Sequence, residues 1–230
     1  SIDDIASKFT SVDSILQQYF KILLEREQER QSLPLKVDEQ LSLMESVAGT
    51  MASFKQSTCT SVEIKDIIRM SLGEDILEYL DRYSDFSKED VPTEDEFLQK
   101  LSHHALLDRI PNTSNSIGFI NDFIFGYLIS EALTNNRLPD LSPKEIEEKY
   151  WNLMVTSYGT CSQKKRDALY RIITDNKIEF TPYEELHTDL ALLHKTSHEY
   201  IRCYYESVYF GENVSLTSVS YTHLTLPTIA

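Results

Sequence analysis

The chain has 230 residues, enough for one or two domains with a real core, and its shares of apolar (41%) and charged (26%) residues are those of a globular protein. A net charge of −15 repels phosphate backbones and argues against direct nucleic-acid binding. Six glycines and seven prolines favour helices over turn-rich β architectures, and three scattered cysteines (Cys59, Cys161, Cys203) without a CxxC pair read as reduced thiols in the cytoplasm, not as a disulfide frame or zinc site.

The chain opens on Ser1 and leads almost at once into an amphipathic helix, so it reads as a piece of a larger protein. That helix is expected from about Ser14 to Gln31, with Ile15, Leu16, Tyr19, Phe20, Leu23 and Leu24 on one face. It closes on the charged run Glu25–Arg30, in which Arg26 and Arg30 can pair with carboxylates one turn away, and Pro34 ends it. A second helix, about Asp38 to Phe54, has Leu41, Met44, Val47, Ala48 and Met51 as its inner stripe. Thr60 with Glu63 forms a capping box ahead of Ile64, Ile67 and Ile68. Gly73 interrupts the helix, and Ile76, Leu77 and Leu80 continue on another. An acidic loop around Ser84–Pro92 leads to a second box, Thr93 with Glu96, before Phe97, Leu98 and Leu101.

The apolar runs Leu106–Ile110 and Ile117–Ile120 flank a turn-forming cluster, which predicts a β-hairpin. Asn121 or Asp122 then caps an apolar helix, Phe123–Leu133. The stretch Ile117–Leu133 contains Asp122 and Glu131 and is too short and too charged to span a bilayer. Ser142-Pro143-Lys144-Glu145 signals a helix start ahead of Ile146, Tyr150, Leu153 and Met154. A further helix, Gln163–Thr174, buries Ala168, Leu169, Ile172 and Ile173, and Thr181-Pro182-Tyr183-Glu184 opens another. Beyond Ser197, Ile201, Cys203, Tyr205, Val208 and Phe210 alternate as strands do. From Ser218 the tail carries no acidic or basic residue, and Val219–Thr228 resembles an in-frame translation of a sequencing adapter.

The expected fold is therefore mainly α: a winged-helix-like helical domain with one β-hairpin, then a helical segment and a short β-prone end. The expected divisions are a connecting amphipathic helix (1–35), the winged-helix-like domain (36–136), a helical connector (142–200), the start of a β-rich or repeat domain (201–217) and a non-native tail (218–230).

No catalytic constellation can be assembled from the sequence. The six glycines form neither GxxxxGK[ST] nor GxGxxG, so a nucleotide pocket would have to come from residues outside this chain. His187, His194 and His198 could line one helix face, but no acidic or cysteine partner accompanies them, and no metal site is expected. His103-His104 closes a helix, where histidine favours the negative end of the dipole. Cys161 and Cys203 read as packed thiols, and Glu147-Glu148 and Glu184-Glu185 as solvated helix faces. A winged helix can read DNA, but the helix before the hairpin begins Glu94-Asp95-Glu96, which favours a protein-packing use of the motif.

Two segments resemble the STAND class of signalling ATPases, specifically its NACHT-like members. Leu23-Leu24-Glu25-Arg26-Glu27-Gln28-Glu29-Arg30-Gln31 is similar to the helix that follows the ATPase core, written LLEREXXRQ. Phe119 to Ser130 resembles the F-x-H-x-x-F-x-E-Y-L-A-A signature at the end of the winged-helix region: Phe119, Tyr127 and Leu128 match, Ile124 stands for the second aromatic and Ser130 for a small residue. Asn121 stands where the family has a phosphate-sensing histidine, and Gly126 where it has glutamate. The resemblance covers about residues 12–133. It implies that Phe119, Ile124, Tyr127 and Leu128 are packing residues and that Asn121 either senses phosphate or caps its helix. It also implies a regulatory and oligomerisation segment without catalysis or cofactor of its own. ATP or ADP is then expected in an upstream module that partners this one, with a homo-oligomer as the output, no membrane contact and a role in signalling or defence. The competing expectation is an ATP-independent helical scaffold for protein–protein interaction, based on the amphipathic helices and the 13 tyrosines and 10 phenylalanines.

Overall fold

Capping boxes at Thr60 and Thr93, a helix stop at Gly73 and a helix-breaking Pro34 divide the chain into short helices that must bury their stripes against one another. The computed structural model describes residues 12–86, 91–110, 116–138 and 141–180, all within one compact unit. In order these are α1 (Val12–Gln31), α2 (Val37–Ser53), β1 (Thr58–Thr60), α3 (Ser61–Leu72), α4 (Asp75–Phe86), α5 (Glu94–Ser102), β2 (Leu107–Arg109), β3 (Ser116–Phe119), α6 (Asp122–Thr134), α7 (Glu148–Tyr158) and α8 (Gln163–Asn176). The fold is mainly α with one small antiparallel sheet. The expectations for the hairpin turn at 111–115, the helix from Thr181, the three downstream histidines, Cys203, the β-prone run and the tail lie outside the described residues.

The expected hairpin is β2 with β3, in which Asp108 faces Gly118. It gains a third strand: β1 pairs antiparallel with β3, Cys59 opposite Ile117, giving the order β1-β3-β2. The helix–strand–helices–hairpin order, closed by a strand from before the helices, fits the winged-helix outline. A three-residue strand has too few positions to show alternation, which is why only its partner hairpin stood out in the sequence.

Both capping boxes form. The Thr60 hydroxyl accepts the Glu63 N–H at 3.3 Å while the Glu63 carboxylate accepts the Thr60 N–H at 2.7 Å, and Thr93 with Glu96 repeats this at 3.3 and 2.8 Å. Gly73 ends α3 at φ +56°, a backbone region that favours glycine. The other marked chain reversals use Ser32, Lys55, Asn136 and Lys177, each at φ between 50° and 60°. Each is followed by a residue whose N–H returns to a helix carbonyl, as Leu33 N–H does to Gln28 O at 3.0 Å and Ile178 N–H to Ile173 O at 3.0 Å. A chain poor in glycine thus ends helices with ordinary residues, which hides the stops from a sequence search for glycine.

The first helix departs from its expected face. Leu16, Phe20 and Leu24 turn inward, while Ile15 (49% exposed), Tyr19 (39%) and Ile22 (48%) point out, a separate stripe at four- and three-residue spacing. On α3 and α4 the expected Ile64, Ile67, Ile68 and Ile76 are buried, whereas Leu77 is exposed. Lys65–Asp95 (2.7 Å) and Arg69–Glu94 (2.8 Å) bridge α3 to the acidic start of α5. The start signal at Ser142 also needs correction. Pro143–Glu145 make only a 3-10 turn, Ile146 leaves it in extended conformation to enter the core, and α7 begins at Glu148. Burial of Ile146 outweighs the local helix signal, because a side chain held in the core dictates the backbone beneath it.

The centre of the fold is α6. It packs most extensively on α7 and next on α2. Gly126 makes the α6–α7 contact possible: a Cβ there would lie 2.3 Å from the Leu153 carbonyl oxygen and 2.7 Å from Ser157 Oγ. The Ser157 hydroxyl donates to Phe123 O at 2.7 Å, across the two helices.

Candidate switch junction

Glu27 sits in the charged run at the end of α1, yet it is only 2% exposed. Arg30 donates to its carboxylate through Nε at 2.9 Å and Nη2 at 2.7 Å, the Gln31 amide donates to Oε1, and so does the backbone N–H of Ala105 at 3.1 Å. Arg30 Nη2 and Gln31 Nε2 also reach His103 O, at 3.0 and 3.1 Å. Three side chains within little more than one turn thus clasp the turn between α5 and β2. Charge-assisted bonds of this kind are the stronger class. They hold the Glu27 carboxyl below its usual range against the opposing effect of burial.

Behind the clasp lies His104, fully buried. The Leu106 N–H donates to Nδ1 at 3.2 Å, which leaves Nε2–H to donate to Gln40 Oε1 at 3.2 Å. Gln40 then donates to Leu24 O at 3.2 Å and Leu35 O at 3.1 Å. Burial pushes the imidazole down to about 4, so it is neutral. This corrects the expectation for His103-His104 as a dipole-favouring pair. His103 alone sits at the helix end, exposed, with Nδ1 2.8 Å from Gln99 O, while His104 turns into the core as an uncharged linker.

A second polar cluster joins α6, α7 and α8. Lys165 Nζ of α8 donates to Tyr127 OH at 2.5 Å and to Glu131, and rests 4.4 Å from the centre of the Tyr127 ring. Tyr158 OH donates to Glu131 Oε1 at 2.7 Å. Burial first, then Glu131, raises both phenols, so both stay protonated. Arg137 at the end of α6 donates to the buried Glu45 of α2 at 3.2 Å, and burial pushes the Glu45 carboxyl up.

The residues singled out in the 119–130 segment divide into two kinds. Phe119, Ile124, Tyr127 and Leu128 are all buried. Phe119 stacks on Phe125 with centroids 5.1 Å apart, and Tyr127 meets Phe20 of α1 at 5.5 Å and Tyr158 of α7 at 5.8 Å. Asn121 is exposed and caps α6: its Oδ1 accepts the Ile124 N–H at 2.8 Å. Asn121→Ala should therefore cost about 1 kcal/mol, with Asn121→Asp close to neutral. Chemical denaturation of the two variants measures the difference.

Glu27, Gln40, His104 and Lys165 escaped the sequence reading as junction residues. In sequence, Glu27 is one acid in a charged run and Lys165 one base in a helix, and only the partner segments reveal the contacts they make. The Cys59 and Cys161 thiols are buried and pushed up to about 11 and about 12, chiefly by burial. Neither should react with iodoacetamide at pH 8 until the fold is opened by denaturant, as mass-spectrometric labelling would show. Among the described residues no group of three His, Cys, Asp or Glu is placed to hold a metal ion, and no described helix is long and apolar enough to cross a membrane.

No family model matches this chain, and neither the curated proteins nor the solved structures contain a significant match.

Proposed function

We propose that this chain is the regulatory winged-helix and helical part of a STAND-type, NACHT-like ATPase, with the nucleotide-binding core upstream and no catalysis of its own. One observation supports the reading above others: the two segments that carry the resemblance supply the joints of the fold. Glu27, Arg30 and Gln31 close α1 onto the α5–β2 turn, while Phe119, Ile124, Tyr127 and Leu128 seat α6 in the core. A switch of this class needs packed joints with two discrete arrangements, one preferred by each nucleotide state. ATP or ADP would bind the upstream core, and the output would be a cytoplasmic homo-oligomer in signalling or defence. Phosphate sensing through Asn121 would use its amide N–H groups, since Oδ1 already caps α6. Recovery of the full reading frame tests the proposal. A phosphate-loop ATPase is expected upstream of Val12, and an upstream region without Walker motifs removes the reading. In the whole protein, exchange of ADP for ATP should alter amide exchange at 103–106 and 124–130.

The outward stripe Ile15, Tyr19 and Ile22 favours the second reading, an ATP-independent scaffold. A partner whose capture is indifferent to nucleotide and lost in Ile15→Ser/Ile22→Ser would select it.

A further inference from the structure

The helix α1 is tied to distant turns by polar contacts towards both of its ends, with Gln40 of α2 also donating to Leu24 O between them. Near its end is the Glu27 clasp on Ala105 N–H. Near its start, Asp13 Oδ2 accepts the N–H of Ser162, in the turn between α7 and α8, at 2.8 Å. The points are 14 residues apart, about 21 Å along a helix axis. Between them Leu16, Phe20 and Leu24 are buried, one residue per turn, and Leu23 is half-buried beside them. The middle of the three, Phe20, lies against Tyr127, and Tyr127 OH accepts from Lys165 of α8.

We propose that α1 is a strap that ties the α7–α8 turn to the α5–β2 turn, so that opening either end loosens both. The physical reason is the thinness of its attachment. A helix held mainly by one row of buried side chains loses most of its stability once that row lifts, because helices in proteins are stabilised largely by packing of the apolar face and not by propensity. Its terminal hydrogen bonds and its row of apolar contacts therefore form and break together. Lifting α1 withdraws Phe20 from Tyr127, the residue on which Lys165 pins α8. This inference concerns the chain's internal coupling and does not rest on the ATPase reading.

Two backbone amides report the two tethers directly: Ser162 N–H is covered by Asp13, and Ala105 N–H by Glu27. Amide hydrogen exchange on the whole chain, native and with Asp13→Ala or Glu27→Gln, tests the strap. Each substitution is expected to speed exchange about tenfold at both Ser162 and Ala105 and across 163–176, the effect of losing one charge-assisted bond. The sheet amides at 116–119 should be unchanged. Phe20→Leu, which touches neither tether, should produce the same two-ended pattern, and Arg30→Met replaces Glu27→Gln should that variant not fold. Faster exchange only at the substituted end, or an unchanged α8 in Asp13→Ala, overturns the strap in favour of two independent contacts.

Discussion

Gly126→Ala is expected to lower the melting temperature by roughly 4–8 °C, although alanine is the better helix former. In an exposed helix the exchange would stabilise by about 1 kcal/mol. Here the added methyl would lie 2.3 Å from the Leu153 carbonyl oxygen and 2.5 Å from its carbon, both backbone atoms of α7. No rotamer change relieves a clash with backbone, so α7 must move as a body away from its main partner. Overpacking of this kind costs typically about 1–3 kcal/mol, occasionally more, and the rigid obstacle puts this site at the upper end. The net loss is then about 2 kcal/mol after the propensity gain is offset. Trimming Leu153 to alanine should not rescue the variant, because the obstructing atoms remain. Gly126→Glu, which introduces the residue of the resembling signature, adds a buried charge to the clash and should leave no cooperative transition by circular dichroism. A melting temperature raised by Gly126→Ala would mean that α6 and α7 do not approach closely. The same geometry gives the departure from that signature a physical reason: a glutamate cannot occupy this position while α7 lies against α6.

Stability should fall by about 3 kcal/mol between pH 7 and pH 4, with His104 as the main cause. Its folded-state value of about 4 lies below the ordinary 6.5. Between those two values the unfolded chain binds a proton that the folded chain refuses, so stability rises with pH through the window and is lost as pH falls through it. The imidazole is fully buried and its two nitrogens already serve the Leu106 N–H and Gln40. A second proton would sit on Nδ1, break the bond from Leu106 N–H and set Nδ1–H against that donor. Glu27 adds to acid lability at the lower end. Its depressed carboxyl contributes stability above the ordinary carboxylate value and loses it as the pH falls further. Glu45 acts in the opposite sense, since burial raises its carboxyl and protonation relieves the buried charge beside Arg137. Urea titrations at pH 7, 5.5 and 4 measure the slope. His104→Leu should lower stability at pH 7 but flatten the dependence between pH 6.5 and 4. An unchanged slope in that variant would transfer the acid sensitivity to another group.

Much of the helical layout could be read from the chain because its signals are local. The boxes Thr60/Glu63 and Thr93/Glu96 and the Asn121 cap are made by residues three apart, and a contact closed within four residues is present in the sequence itself. The stripes of α2 and α3 were legible for the same reason: each is one face of one helix. The hairpin also declared itself, through two apolar runs around a turn-forming cluster.

What stayed hidden depends on contacts between residues far apart in the chain. Strand β1 exists only because β3, with Ile117 opposite Cys59, offers it a ladder. The apolar positions of α1 look like one face in sequence, but the fold buries Leu16, Phe20 and Leu24, half-covers Leu23 and leaves Ile15, Tyr19 and Ile22 outside. The charged run 25–30 is indistinguishable from a solvated helix end until Ala105 meets Glu27. Signals within single elements settle the helical class, the caps, the hairpin and the inner stripes of the central helices. Which side of α1 is buried, why residue 126 is glycine and that His104 is neutral follow only from the packed fold, because each depends on how closely a distant segment approaches.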